Sequence, residues 1–346
     1  MIKVGIIGCG KIAQKRHIPE YLENPESEIG GYYDLNQARA AQLAGQFGGK
    51  AYASYQELLA DKSIDAVSVC TANHTHAEIT IAALKAGKHV LCEKPMATTL
   101  EDCEAMVRTA QEQHKILLIG QNQRLAKAHQ KARELIASGA IGKIITFRTT
   151  FGHGGPETGR GDPGKNVGVF DKKEGVMGAM ADLGIHKTDL IHFLTGEEIV
   201  ETTARLTTLD KRDGQGNLIG VDDNAICIYR LSGGALGTMT VSWTYYGPED
   251  NSTIVYGQKG IMRLYDDPRF GIQIHLNTGE AIFYEIDQIQ TNQSQTSSGV
   301  IDAFVEALAT GKPSELAAES VLKSMRVIFA SIESSEIGRP VAIQHH

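Results

Sequence analysis

Through the first third of the chain, short apolar runs alternate with stretches whose apolar residues recur at helical spacing. The runs "KVGIIG" from 3, "EIGGYY" from 28, "DAVSVC" from 65, "HVLC" from 89 and "ILLIG" from 116 read as strands. Between them, "SYQE" at 54 to 57 and "TTLE" at 98 to 101 set a hydroxyl ahead of a glutamate, the signature of a helix start. Strands alternating with helices form βαβ units whose links are all crossovers. The pattern predicts an α/β fold, a doubly wound parallel Rossmann sheet over residues 1–122.

After a helical stretch, "AHQKARELIASGAIG", the period changes to two. "KIITFRTTF" from 143, "VETTARLTTL" from 200, "NAICIYRL" from 224, "ALGTMTVSWTYY" from 235, "STIVYG" from 252, "GIMRLY" from 260, "IQIHL" from 272 and "AIFYEI" from 281 alternate as strands do. Turns such as "SGG", "GQKG" and "LNTGE" separate them. Residues 123–346 are therefore expected to form a C-terminal α+β domain on a large, mostly antiparallel open sheet, with a helix near 182–194 packed on it. Helical spacing returns near the end, and helices within 298–338 are expected to pack back toward the first domain. A length of 346 residues suits two cores.

Composition narrows the classes of function. A net charge of −7 argues against a nucleic-acid groove or an anionic membrane surface as the main partner. No stretch approaches the roughly 20 apolar residues of a membrane span. The start, "MIKVGIIGCGKIA", is broken by Gly8 and Gly10 and lacks the uninterrupted core of a secretory signal. Five cysteines without a C-x-x-C pair read as thiols in a reducing cytoplasm. "NST" at 251 and "RGD" at 160 are then coincidences of composition.

"GIIGCGKIA" places Gly8, Gly10 and Ala13 in G-x-G-x-x-[GA] spacing between the first strand and a helix. The first glycine permits the tight turn and the second admits a pyrophosphate; the small third residue lets helix and strand pack closely. Backbone N–H groups at the helix start, including those of Lys11 and Ile12, would meet the anion. Asp34 ends the second strand and can accept both ribose hydroxyls of NAD. Nothing basic follows at once in "DLNQ", so NAD is favoured over NADP. A plain turn-forming aspartate is the other reading.

With "TANHTHAEITIAALKAGKHVLCEKPMA" the chain resembles the Gfo/Idh/MocA family of dehydrogenases, named for glucose-fructose oxidoreductase and inositol dehydrogenase. The resemblance spans nearly the whole chain, through the glycine loop, "EKP" at 93 to 95, "DLGIHKTDLIHFLTG" from 182 and "GQKGIMRLY" from 257. It implies that Thr71, Asn73 and His76 line a cofactor trough, that Glu93 approaches the nicotinamide ribose and that Lys94 faces the reacting carbon. Gln121 joins the expected cofactor contacts. It also implies a homo-oligomer, dimer or tetramer, built on the large sheet. The two histidines of "NHTH" could ligate a metal, but a loop with Asn73 capping a helix explains them as well, and no metal is expected.

Asp182, His186 and Asp189 fall within about 60° of one face of an ideal helix, and His192 falls elsewhere as a packed or surface histidine. A polar face carrying a simple Asp–His pair is one reading; a metal triad lacks a second histidine. The resemblance implies that the D-x-x-x-H pair Asp182 and His186 handles the proton and that Asp189 lies near substrate hydroxyls. Lys94 would stabilise the alkoxide, or carry the proton itself.

The implied substrate is a sugar, polyol or glycoside, oxidised at a secondary alcohol or formed by the reverse reduction. Here the chain departs from many relatives: the loop from Gly152 lacks a tryptophan-rich stretch, and "QNQR" at 121 to 124 replaces N-R-R. Arg124, His153, Arg160 and Lys165 are candidate substrate contacts, with a solvated position as the other reading of each. A rival class is a non-catalytic dinucleotide-sensing regulator of the same fold. Retention of Lys94, Asp182 and His186 speaks against it, since a sensor needs no proton relay.

Overall fold

The computed structural model describes residues 1–156, 177–286 and 297–345. The chain divides into two compact units, Met1–Asn122 with Ser294–Leu322, and Gln123–Gln293 with Lys323–His346.

The first unit holds a parallel sheet of six strands: β1 (Ile2–Ile7), β2 (Ser27–Tyr33), β3 (Lys50–Ala51), β4 (Ala66–Val69), β5 (His89–Cys92) and β6 (Leu117–Ile119). Their order, β3-β2-β1-β4-β5-β6, reverses direction between β1 and β4. That reversal opens a crevice at the carboxyl ends of the strands, where such sheets bind ligands. β4 is buried throughout, as parallel strands covered on both faces are.

The helices begin where local chemistry starts them. Ser54 accepts from the Glu57 N–H at 3.1 Å to start α3 (Tyr55–Ala60), which follows α1 (Ile18–Glu23) and α2 (Gln37–Phe47). α4 spans His76–Lys85, and Thr99 caps α5 (Leu100–Glu112) through the Asp102 N–H at 3.1 Å. Thus the second of the two threonines in "TTLE" is the cap. Asn73 is not a cap, because Asn73–Thr75 forms its own short tight turn ahead of α4.

The second unit carries α6 (Lys127–Ala137), α7 (Ile185–Thr195) and a sheet of nine strands. These are β7 (Ile144–Gly152), β8 (Ile199–Thr207), β9 (Asn224–Leu231), β10 (Leu236–Ser242), β11 (Thr253–Gly257), β12 (Gly260–Asp267), β13 (Phe270–Leu276), β14 (Ala281–Tyr284) and β15 (Val341–Ala342). The order is β14-β13-β12-β11-β7-β10-β9-β8-β15, antiparallel except for β7 beside β10. β9 alternates buried and exposed residues from Ala225 to Leu231, the mark of a sheet with one face covered.

The C-terminal region adds α8 (Val300–Thr310) and α9 (Ala318–Ile337). Within the first unit Ser298 donates to Glu20 from its N–H at 2.7 Å and its hydroxyl at 3.0 Å, fixing the approach to α8 beside α1. Two strands have no counterpart in the sequence pattern, β3 and β15. Each is two residues long, too short to show a period. α6 stops before the "SGAIG" of its motif because Gly139 turns left-handed, with φ of 77°. No described helix is long and apolar enough to cross a membrane.

Phe147 on β7 is 2% exposed. Phe147→Ala is expected to cost about 3–5 kcal/mol, read as a lower urea midpoint by circular dichroism.

Candidate active site

In the first unit the expected cofactor residues follow the ends of β1, β2, β4, β5 and β6. Gly8 has φ of 91°, and a Cβ there would lie 2.7 Å from the Cys70 carbonyl group. Only glycine meets both demands. A Cβ on Gly10 would meet nothing within 4 Å, so the backbone there faces open space, and Ala13 is fully buried. Lys11 is exposed and Ile12 half-buried at this helix start.

Asp34 accepts from the Cys9 N–H and from the Asn36 N–H, each at 2.7 Å, which fixes its carboxylate beside the glycine turn. Arg39 comes within 3.4 Å of it. No basic residue follows Asp34 directly in sequence, but the first turn of α2 brings this cation back to it.

Thr71 accepts from the Thr75 hydroxyl at 2.8 Å, and Asn73 is half-buried. His76 is 1% exposed; its ring nitrogens lie 2.8 Å from the Pro95 carbonyl and 3.2 Å from that of Thr71. Burial holds its pKa below the ordinary value, against the pull of both carbonyls.

Glu93 is buried, and its Oε1 accepts from His17 at 2.9 Å while Oε2 accepts from the Lys94 N–H at 3.2 Å. Burial pushes its pKa up, but the His17 hydrogen bond and charge, with Arg16 and Lys94, outweigh that and hold it at about 2. Half-buried Lys94 follows, joined to Pro95 by a cis peptide. Gln121 is 1% exposed, and neither amide atom has a hydrogen-bond partner among the described residues. An open anion-receptive turn, an ordered carboxylate and a buried amide in want of a partner fit a dinucleotide.

In the second unit Asp182 sits in a wide, π-type turn, Met180–Gly184, that runs into α7. Such turns recur at functional sites. This one displaces Asp182 from the ideal helical offset to His186 assumed from spacing. Asp182 accepts from the Trp243 indole N–H at 3.2 Å. Asp222 holds the start of the turn, accepting from the N–H of Gly178 at 2.8 Å and of Met180 at 2.7 Å.

Neither Trp243 nor Asp222 was expected at the site. The first had a signal, as the only tryptophan of the chain; the second had none. His186 is 5% exposed, and the Phe151 ring lies 6.2 Å from its imidazole and 6.0 Å from that of His153. The Nδ1 of His153 accepts from the Gly155 N–H at 2.9 Å.

Asp189 is 2% exposed, and its oxygens accept from Arg124 at 2.6 and 2.5 Å and from the Ser324 hydroxyl at 2.9 Å. Arg124 is itself 5% exposed, so it is no solvated loop residue. His192 is packed, bonded to Ser324 and to the Ile199 N–H, each at 3.1 Å. Lys187 is fully buried and donates to the Asn251 carbonyl at 2.8 Å; burial lowers its pKa to about 7. Arg160 and Lys165 lie outside the described residues.

A glycine turn at the switch point of a parallel sheet, with an acidic residue ending the next strand, defines a dinucleotide-binding protein of the Rossmann type. Residues 2–121 match the family model described as "Oxidoreductase family, NAD-binding Rossmann fold", and residues 129–263 match "GFO/IDH/MocA C-terminal domain". The chain belongs to the Gfo/Idh/MocA family and is an NAD-dependent oxidoreductase.

Among its relatives, 1,5-anhydro-D-fructose reductase of Ensifer adhaerens is 32% identical over 245 residues, covering 70% of each chain. Myo-inositol 2-dehydrogenase of Thermotoga maritima is 26% identical over 351 residues, covering 99% of each. A solved levoglucosan dehydrogenase in complex with NADH superposes with a TM-score of 0.88 at 25% identity, covering 100% of both chains.

Burial holds the His129 and His192 pKa values at about 3. Each binds its proton in the unfolded chain near pH 6.5 but not in the fold, so stability falls as pH drops below about 6.5. Glu249, raised to about 7 chiefly by burial, works in the opposite direction and offsets one of them. Between pH 7 and 5, His129→Gln should therefore lose less stability than the wild type, by on the order of 2 kcal/mol. Urea midpoints at the two pH values test this, and parallel curves would refute it.

Proposed function

We propose that the protein oxidises a secondary alcohol of a sugar, polyol or glycoside to the ketone, or runs the reverse reduction. The observation that carries this reading is a lysine, Lys94, set at the end of a buried strand beside a carboxylate held ionised, in a chain whose relatives are named for polyhydroxylated rings. NAD supplies the hydride acceptor; the chain's own residues must bind it, orient the alcohol and manage its proton.

The Gly8–Ile12 turn offers backbone N–H groups to the pyrophosphate, and Asp34 accepts the ribose hydroxyls. Thr71, Asn73, Glu93 and Gln121 supply the remaining polar contacts on the cofactor side. Lys94 donates a hydrogen bond to the reacting oxygen and stabilises the alkoxide as the hydride leaves. His186 accepts the hydroxyl proton, a step suited to imidazole near neutral pH. Asp182, oriented by Trp243, favours the imidazolium so formed.

Asp189 and Arg124 neutralise one another, so their contribution to sugar binding is to steady α7 rather than to present charge. His153 is the candidate partner for a further hydroxyl.

The large sheet supports a second proposal, assembly with further copies of the chain. Ile226, Ile228 and Leu236 are 57%, 49% and 52% exposed, and they lie on the same face of adjacent strands β9 and β10. Such an apolar face suits burial against an identical one. Five buried free thiols suit a reducing cytoplasm, which is the proposed location.

A panel of inositols, free sugars and glycosides assayed for NADH formation should contain at least one robust substrate. A flat panel would favour the sensing regulator instead. Lys94→Ala is expected to lower kcat by about 10²–10³-fold while NADH binding changes little. Asp34→Ala should do the reverse, weakening NADH binding by about tenfold or more at the cost of one charge-assisted contact. Light scattering should give a mass above that of one chain, falling with Ile228→Asp.

A further inference from the structure

Two buried histidines, His17 and His76, flank the turn that carries Lys94. His17 is 2% exposed at the end of the wide turn Ala13–His17 that follows the glycine loop. Its Nε2 lies 2.9 Å from Glu93 Oε1, and its Nδ1 lies 3.2 Å from the Ser68 hydroxyl. The Tyr21 hydroxyl lies 2.8 Å beyond, on Ser68.

The direction of this chain is fixed at its two ends. Glu93 is ionised and can only accept, so Nε2 carries the proton and donates to it. Tyr21 has its pKa pushed up chiefly by burial, so it retains its proton and can donate to Ser68. The Ser68 hydroxyl stands between them, within hydrogen-bond distance of both His17 Nδ1 and the Tyr21 hydroxyl. Tyr21, the far member of the chain, is 1% exposed. The chain acts here as a support.

Glu93 passes that support on. Its second oxygen takes the Lys94 N–H at 3.2 Å, while on the other side of the lysine the Pro95 carbonyl takes the His76 ring at 2.8 Å. Held neutral by burial, His76 has one N–H, and the shorter contact assigns it to Pro95 rather than to Thr71.

We propose that His17 is a positioning residue for the reaction: through Glu93 it fixes the Lys94 main chain, while His76 clamps the same turn from Pro95. This rests on the reading of Lys94 as the partner of the reacting oxygen. A rotatable lysine reaches a defined point only from a fixed backbone, so loss of the support should appear in turnover before it appears in affinity.

The test compares His17→Leu with His17→Gln, whose amide N–H can replace Nε2. His17→Leu should lower kcat by about tenfold or more, as expected for a lost hydrogen bond to a buried charge, with KM for NAD within about threefold. His17→Gln should recover most of that loss. Hydrogen exchange of the Lys94 amide, read by NMR on the whole protein, should accelerate in His17→Leu and stay near wild type in His17→Gln.

Equal behaviour of the two variants in both measurements, or unchanged exchange in His17→Leu, would overturn the proposal. If the wild type turns over no member of the panel, the functional reading fails while the exchange comparison still decides this one. Should His17→Leu not fold, Ser68→Ala and Tyr21→Phe weaken the same chain more gently. They must then accelerate Lys94 exchange, or the proposal is wrong.

Discussion

Glu93 is a buried carboxylate held in its charged form, and much of the first unit is arranged around that fact. An isolated carboxylate in an apolar interior would take up a proton. Here His17, Arg16, Lys94 and a main-chain N–H keep it ionised, with its pKa at about 2. The donors come from the wide turn after the glycine loop and from the end of β5. Glycine at position 120 completes the fit, since a Cβ there would stand 3.2 Å from Glu93 Oε1. The segment after the glycine loop and the turn that carries Lys94 are therefore tied to one carboxylate.

The second unit solves the same problem by pairing. Arg124 and Asp189 are both nearly inaccessible, and two hydrogen bonds between them, with Ser324 as a third donor, satisfy the aspartate. Such a pair contributes little net stability over apolar neighbours, but removing one member strands the other, at about 3–5 kcal/mol. Its value is to make one placement of α7 far better than its alternatives. Asp222 acts similarly on the turn before α7, where a Cβ on Gly178 would collide with the Asp222 carbonyl at 1.7 Å.

The parts of this arrangement that could be read in sequence are the local ones. The glycine spacing, Asp34 at the end of β2 and the caps at Ser54 and Thr99 depend on neighbours a few residues away. The long strands declare themselves by period. What could not be read is what the fold brings together: His17 with Glu93 across 76 residues, Arg124 with Asp189 across 65, Trp243 with Asp182 across 61. The family resemblance implied that Asp189 lies near substrate hydroxyls, and the sequence held no sign of the partner it would find. In the fold its oxygens are paired with Arg124, a cation from a different segment. The wide turn at Met180–Gly184 is a second example, since helical arithmetic assumes an unbroken period.

Burial also sorts the histidines by what they can do. An acid–base group must change charge near neutral pH. His129 and His192 cannot, because burial holds them neutral down to about pH 3. His192 lies on the same helix as His186 and illustrates the difference in use: both of its nitrogens are committed to Ser324 and to the Ile199 N–H, fixing α7 against β8 and α9. His186, six residues earlier, lies beside the Phe151 ring, which His153 also contacts. One helix thus carries a histidine that anchors it and the histidine proposed to take the proton. Because the two share one segment, disturbing the anchor should also disturb the placement of His186.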